Sequence, residues 1–552
     1  MTLIARLSRS PLAAKLCCQP LSLSPSLLLG LLVLSATHAY GQIKTRVTID
    51  ATAKGNILFS SSLGVAPDIS DGKASDPATI SLLRDAGIGI IRYPGNGGAA
   101  DLYHFSTGAI SNPFPSDKPP YMAPENNFPA AAAAIEGIGT AMVTVNYGSN
   151  LDGSGGGEPA EAAAWVAYTN GSPDSSVVIG KDSKGNDWKT VGYWAGLRAA
   201  SPVSPDDGFN ALRIGHARPF GIQLWTVGFE PWNNGFYGQD SSGEFDLHGG
   251  TVPSKKDLYK HSGDSRYGPT TYGNAVVAYV KTMKAVDPSI FIGASLVPPP
   301  PDGNTKVGKN WNGEVLKAAC ASMDFGAVSL SEGGRTLPPE YKKMDEEDLL
   351  MYSVGRDYSN LAKDLGDKYK KFCPPGHAPQ LAIVNFGIAT WPKIEHPAAE
   401  AVFAADAFPM LIETGAYSVQ WAPIHGPVLL DDSNKQKPGY YGVQMVHIMA
   451  PVPGDMFLPA QSQFPAIGVH AVKRRDGGLG ILVVNKDWRQ NATVAISISG
   501  FNFASKGTRY DYGPAAVDAG KGITESPIEN LGSTFTIQVP GYGVVALVIP
   551  KA

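Results

Sequence analysis

Leu224-Trp225-Thr226-Val227-Gly228-Phe229-Glu230-Pro231-Trp232 is an apolar run that ends on a carboxylate and passes straight into an aromatic, Asn-rich loop. It reads as a buried strand that delivers one acid to the end of a sheet. Seven other short apolar runs flank it, so that the set covers 57–63, 88–93, 141–147, 222–230, 290–297, 325–330, 381–386 and 417–424. Between them lie stretches with apolar residues at helical spacing, such as the Ala-rich 159–168 and 272–286. Eight strand–helix alternations predict an α/β fold, a (β/α)8 TIM barrel over residues 50–450. Such barrels carry their chemistry on the C-terminal ends of the strands and the loops after them, which makes the last residues of each run the candidates.

From about Gly468 the texture changes. Short β-rich runs at 470–474, 480–484, 492–498, 534–539 and 544–549 follow one another with turn residues and no helical spacing between them. This predicts an antiparallel β-sandwich over 451–552, completed by an early strand at 45–49 within residues 42–49.

The bulk composition narrows the function. In 552 residues, 43% are hydrophobic, enough for a large core, and the 63 Gly and 44 Pro stay below the roughly 25–30% that marks disorder. The net charge of -4, with no basic run beyond the first residues, leaves nothing to attract nucleic acid or anionic lipid. Arg6, Arg9 and Lys15, then the apolar run 27–34, then small residues up to Gly41, have the layout of a secretory signal over 1–41. The chain is therefore expected to be secreted or periplasmic and free of the membrane after cleavage; an uncleaved anchor is the alternative reading. Cys320 and Cys373 each end a helix-like stretch before a strand, which suits a disulfide in an exported protein or, equally, two buried thiols. No Cys/His spacing indicates a metal, and no Gly-rich loop sits in a nucleotide-binding context, so neither metal nor cofactor is expected.

A neutral ligand with many hydroxyls fits the strand ends. Glu230 is followed by Trp232 and Asn233, a ring to stack on a sugar and an amide to bond it. The second run ends at Arg92, with Asp101 and His104 soon after; the third ends at Asn146-Tyr147; the last presents Trp421, either as a sugar-stacking floor or as core. Glycoside cleavage ordinarily needs two carboxylates, roughly 5–5.5 Å apart in retaining enzymes and 6.5–9.5 Å apart in inverting ones. The seventh run, Leu381-Ala382-Ile383-Val384-Asn385-Phe386-Gly387, supplies Asn385 where the second is expected.

Met142-Val143-Thr144-Val145-Asn146-Tyr147-Gly148-Ser149 and Glu158-Pro159-Ala160-Glu161-Ala162-Ala163-Ala164-Trp165-Val166 resemble bacterial secreted α-L-arabinofuranosidase-like glycoside hydrolases of the large retaining (β/α)8 clan. Segments 187–194, 212–216 and 440–445 and the terminal sandwich are similar too, so the likeness runs from about 45 to 550. The resemblance implies a barrel with a β-sandwich and action on plant-type or microbial polysaccharide. It also implies a fourth strand ending Gly-Asn-Glu, whose Asn binds the 2-hydroxyl and whose Glu is the acid/base; here Phe229 replaces that Asn and Glu230 remains. The Glu nucleophile implied on the seventh strand is Asn385, which carries no charge. The His-Trp-Tyr group of the sixth strand is Val328-Ser329-Leu330-Ser331. Ordinary double displacement is therefore expected to be lost. Three readings follow: a catalytically inactive carbohydrate-binding protein, a substrate-assisted glycosidase, or an enzyme with a relocated carboxylate, for which Glu332 and Asp101 are the candidates.

Overall fold

The computed structural model describes residues 42–95, 98–112, 121–238, 244–251, 257, 261–298, 306–332, 344–388, 393–502 and 504–552. Residues 42–552 form one compact unit, and the expected signal segment lies outside the described residues.

The chain opens with β1 (Ile43–Asp50), whose alternate residues Ile43, Thr45, Val47 and Ile49 are buried, the period-2 pattern of a strand with one face on a core. Then come β2 (Leu63–Val65), α1 (Pro77–Asp85), β3 (Ile90–Tyr93), a small hairpin of β4 (Tyr103–His104) and β5 (Ala109–Ile110), α2 (Phe128–Ile138), β6 (Thr140–Val145), α3 (Pro159–Asn170) and α4 (Val191–Ala199). The second half of the barrel adds β7 (Leu224–Val227), α5 (Pro269–Val286), β8 (Phe291–Leu296), α6 (Lys306–Ala319), β9 (Phe325–Glu332), α7 (Glu346–Ser353), α8 (Ser359–Phe372), β10 (Gln380–Ile388), α9 (Ala398–Glu413), β11 (Ala416–Trp421) and α10 (Pro438–Met449). Strands β2, β3 and β6–β11 close into a barrel in which every neighbouring pair is parallel. The TIM barrel expected from the sequence is present, and its first strand starts where the 57–63 run ends.

Caps set the helix starts. Asp76 accepts the amide of Ala78, Asn127 that of Ala130 and Asp345 that of Asp348, and each removes one of the unpaired donors of a first turn. Inside the barrel, Ile90, Met142, Phe325, Ala327, Ala382, Val384 and Tyr417 pack as a small separate apolar cluster near the strand starts. Above it the inward positions turn polar, with Arg92, Thr144, Thr226, Ser418 and Gln420 all buried. Thr226 donates to Thr144 at 2.9 Å and Gln420 to Ser418 at 3.1 Å.

The last segment comprises β12 (Met456–Leu458), β13 (Ala460–Ser462), β14 (Ile467–Lys473), β15 (Leu479–Asn485), β16 (Ala492–Ser499), β17 (Lys506–Tyr512), α11 (Pro514–Asp518), β18 (Thr524–Glu529), β19 (Thr534–Val539) and β20 (Val544–Ile549). They form a sheet β13-β1-β16-β19 facing a sheet β12-β14-β15-β20-β17-β18 over a core of Val47, Ile481, Val494, Ile537 and Leu547. Two details correct the sequence reading. A short helix, α11, interrupts the strands, and β1 pairs with β16 in parallel over eight residues, so the sandwich is antiparallel except at that seam. Helices α9 and α10 lie against the β14–β15–β20 face, and α9 is buried almost all round, as its Ala-rich, apolar sequence requires of a helix clamped on both sides.

Candidate active site

The fourth barrel strand delivers Glu230 through two unusual backbone positions. Gly228 has φ +69° and Glu230 has φ +45°, ψ +43°, a left-handed conformation that side chains other than Gly, Asn and Asp rarely adopt. This turn lifts Glu230 out of the strand, half-buried, over the barrel mouth. Both carboxylate oxygens accept amide N–H groups: Oε1 from Asn385 and Oε2 from Asn233, each at 3.1 Å.

Asn385 reaches Glu230 because β10 carries a bulge. Its register against β9 slips between Ile383 and Asn385, after which Asn385 stands opposite Ser329. A bulge of this kind re-aims a side chain at a sheet end, and here it lets successive residues, Val384 and Asn385, both serve the interior. Ser329, on the adjoining strand, is buried with its hydroxyl unpartnered among the described residues.

Arg92, on the second barrel strand, is 1% exposed and lies 5.0 Å from the ring centroid of Phe229, a cation–π contact. Its Nη1 is 3.5 Å from the Thr144 hydroxyl, while Nε and Nη2 have no partner among the described residues. Burial lowers its pKa to about 10, against the opposing pull of Glu230 and Glu244. Phe229 thus fills the place expected for a sugar-binding Asn with a ring that shields a buried cation.

Glu244 is the residue that sequence reading passed over. Its amide donates to the carbonyl of Asn233, which brings it beside the Glu230 loop, and its side chain is buried with Oε2 unpartnered among the described residues. Burial pushes its carboxyl well above the usual range, with Glu230 and then Asp101 adding repulsion and Arg92 opposing. In the sequence it is one of three acids, with Asp240 and Asp246, in a Gly- and Ser-containing segment, and such acids are mostly solvated.

Several predicted ligand residues make contacts that hold the loops. Asp101, proposed as a relocated carboxylate, has both oxygens committed: Oδ1 accepts the Tyr147 amide at 3.0 Å and Oδ2 the Phe229 amide at 2.8 Å. Burial raises it to about 7 although these amides pull the other way. It ties the ends of β6 and β7 together. His104 is 2% exposed, bonded to Glu161 and Ser111, both at 2.8 Å. Asn146 spends its amide on the Tyr103 carbonyl and on Ser149, from which it also accepts an N–H. Tyr147 is buried and stacks on His248 with centroids 4.3 Å apart. Trp232 is buried edge-on to Trp311. Trp421 has the opposite orientation to the inward Gln420 and packs with Phe386, Phe403 and Phe408 outside the barrel, so it is core and not a floor at the rim. The side chain of Glu332 lies outside the described residues; its backbone ends β9, paired with Ile388. The mouth therefore gathers Glu230, Asn233, Asn385, Ser329, Arg92 and Phe229, joined by Glu244. Among the described residues no group of three or more His, Cys, Asp or Glu side chains is arranged to hold a metal.

No family model matches the sequence, and no curated protein does. Solved structures do match over nearly the whole length. A family 51 α-L-arabinofuranosidase from Bifidobacterium longum aligns with a TM-score of 0.64 and 14% identity, covering 92% of this chain and 100% of that one. An α-L-arabinofuranosidase from Thermotoga maritima, in complex with arabinose, gives 0.60 and 17% with the same coverage. A Paenibacillus polymyxa xyloglucanase of glycoside hydrolase family 44 gives 0.58 and 12%, covering 92% and 100%. The closed eight-stranded barrel with its accessory β-sandwich is thus the fold of the family 51 and family 44 glycosidases.

Proposed function

We propose that this protein is exported and binds a plant-type or microbial saccharide at the barrel mouth, around Glu230 and Asn233, without double-displacement chemistry. The observation that carries this reading is the 3.1 Å hydrogen bond from Asn385 Nδ2 to Glu230 Oε1. A seventh-strand amide occupies the position facing the fourth-strand acid, and an amide cannot form a glycosyl ester. Loss of a nucleophile costs roughly 10⁶ in turnover in a hydrolase, about 8 kcal/mol at 1.36 kcal/mol per decade. Binding does not depend on that group, since hydrogen bonds and shape hold the ground state as well as the transition state. Export is supported by the Cys320–Cys373 disulfide, which suits an oxidising compartment.

The test is a glycan array read with the purified protein, followed by exposure to 2-fluoro arabinofuranosyl, xylosyl and N-acetylhexosaminyl donors under intact-mass detection. Retention of arabinan or xylan oligosaccharides with no covalent adduct is expected. A mass increase of one glycosyl unit would show a working nucleophile, and an array with no retained glycan would remove the binding reading.

A further inference from the structure

Four buried polar atoms at the barrel end that carries Glu230 lack a partner among the described residues: Oε2 of Glu244, Nε and Nη2 of Arg92, and Oγ of Ser329. They come from three separate parts of the chain, and all three residues are more than nine-tenths buried. A buried polar atom left unpaired is costly, so a concentration of them at one barrel end is the mark of a place that a polar ligand or ordered water completes.

Two carboxyl groups in this cluster have opposite surroundings. Glu230 is half-buried, and each of its oxygens accepts an amide N–H. Glu244 lies deeper, and no N–H or O–H among the described residues donates to its Oε2. A buried carboxyl facing a second carboxylate keeps its proton. Environments that separate two acids in this way assign them acid and base roles.

We infer that Glu244 and Glu230 are an acid–base pair for direct hydrolysis of a glycoside, Glu244 protonating the leaving oxygen and Glu230 taking a proton from the attacking water. The inference rests on the saccharide-binding reading of the same site. The step balances with water as co-reactant. The glycosidic C–O bond breaks as a new C–O bond to water forms, the Glu244 proton goes to the departing alcohol, and Glu230 ends protonated. Solvent then carries that proton back to Glu244. Arg92, whose buried positive charge is felt at both acids, offsets the charge that appears on Glu244.

The experiment compares phenyl and 2,4-dinitrophenyl α-L-arabinofuranosides and β-D-xylosides with the full chain and with Glu244→Gln, alongside calorimetric binding of xylo- and arabino-oligosaccharides. Slow turnover with inverted anomeric configuration by NMR is expected in the wild type. Glu244→Gln is expected to lose 10²–10⁴-fold on the phenyl substrates, which need protonation, and less than tenfold on the dinitrophenyl ones. Binding without turnover in the wild type overturns the pair and leaves the saccharide reading standing; absence of both overturns both. Retention of configuration, or equal losses on the two leaving groups, also overturns it. Should Glu244→Gln fail to fold by thermal melting, Glu244→Asp takes its place, and wild-type rates on both leaving groups would exclude the acid role.

Discussion

Asn385 and Glu230 touch through one hydrogen bond, and the sign of charge at position 385 decides whether that contact holds. Asn385→Asp places two carboxylates within hydrogen-bond distance, which raises the pKa of the pair and turns an attraction into repulsion at neutral pH. A destabilisation of about 1–3 kcal/mol is expected at pH 7. It should be relieved as the pH falls through the raised pKa, so urea midpoints of variant and wild type converge near pH 4. Equal gaps at both pH values would mean that the carboxylates do not meet. Glu230 and Asn385 were legible in the sequence because each ends an apolar run, and strand ends are where a barrel puts its chemistry. His104, Asn146 and Asp101 were legible as polar residues near strand ends, yet their roles were not. Whether a polar side chain faces ligand or a neighbouring loop depends on partners such as Glu161, Ser149 and the Phe229 amide, which the fold alone brings within reach. Glu244 was missed because no apolar run anchors it.

At the scale of elements, the turn after β7 and the bulge in β10 do the placing. Gly228 combines φ +69° with a tight neighbour: a Cβ there would lie 2.8 Å from Tyr147 Cβ and 3.4 Å from Asp101 Oδ1. Gly228→Ala is therefore expected to cost about 2–3 kcal/mol in denaturant unfolding and to displace Glu230, weakening saccharide binding together with stability. An unchanged unfolding midpoint would show the turn to be tolerant. The disulfide joins the residues just after α6 and α8, so it ties together the approaches to β9 and β10, which present Ser329 and Asn385. Its loop spans 53 residues, and chain entropy puts its stabilisation at about 4 kcal/mol. Cys320→Ala/Cys373→Ala should lower the unfolding free energy by that order, checked by equilibrium urea titration. The sequence revealed the other barrel strands to within a few residues, but displaced the first toward 57–63. That run is as apolar as a strand, and only pairing of Leu63–Val65 with β3 and β11 identifies the paired part. The short helix α11 carries too few residues to show a period.

Across the whole molecule, the barrel and sandwich meet through a buried charge network that no sequence pattern announced. His470 of β14 is bonded at Nε2 to Asp406 at 3.1 Å and at Nδ1 to Glu413 at 2.9 Å, both acids on α9, and Lys486 reaches Asp406 at 3.0 Å. Both ring nitrogens face carboxylates, the pattern of an imidazolium. Burial works against that charge, but Glu413 and Asp406 outweigh it and lift His470 to about 9. Burial likewise opposes the Asp406 carboxylate, while Lys486 and His470 hold it at about 2. A raised histidine contributes fully below its unfolded pKa of 6.5 and loses its contribution as the pH climbs through 9. A lowered aspartate contributes above 3.8 and loses its contribution as the pH falls through 2. The contribution of this network should therefore be fullest between about pH 4 and 6.5 and fall by on the order of 3 kcal/mol by pH 9.5. His470→Gln should be less stable at pH 6 and show a flatter alkaline limb; a limb as steep as the wild type would place the titration elsewhere. The joint keeps α9, and with it the β10–β11 side of the barrel, in register with the sandwich. The mouth around Glu230 is proposed to hold a saccharide. Isothermal titration of arabinan and xylan oligosaccharides into the wild type and into Glu230→Ala tests it most directly. Saturable heat in the wild type and none in the variant is expected, whereas no heat in the wild type, or identical isotherms in both, would contradict it.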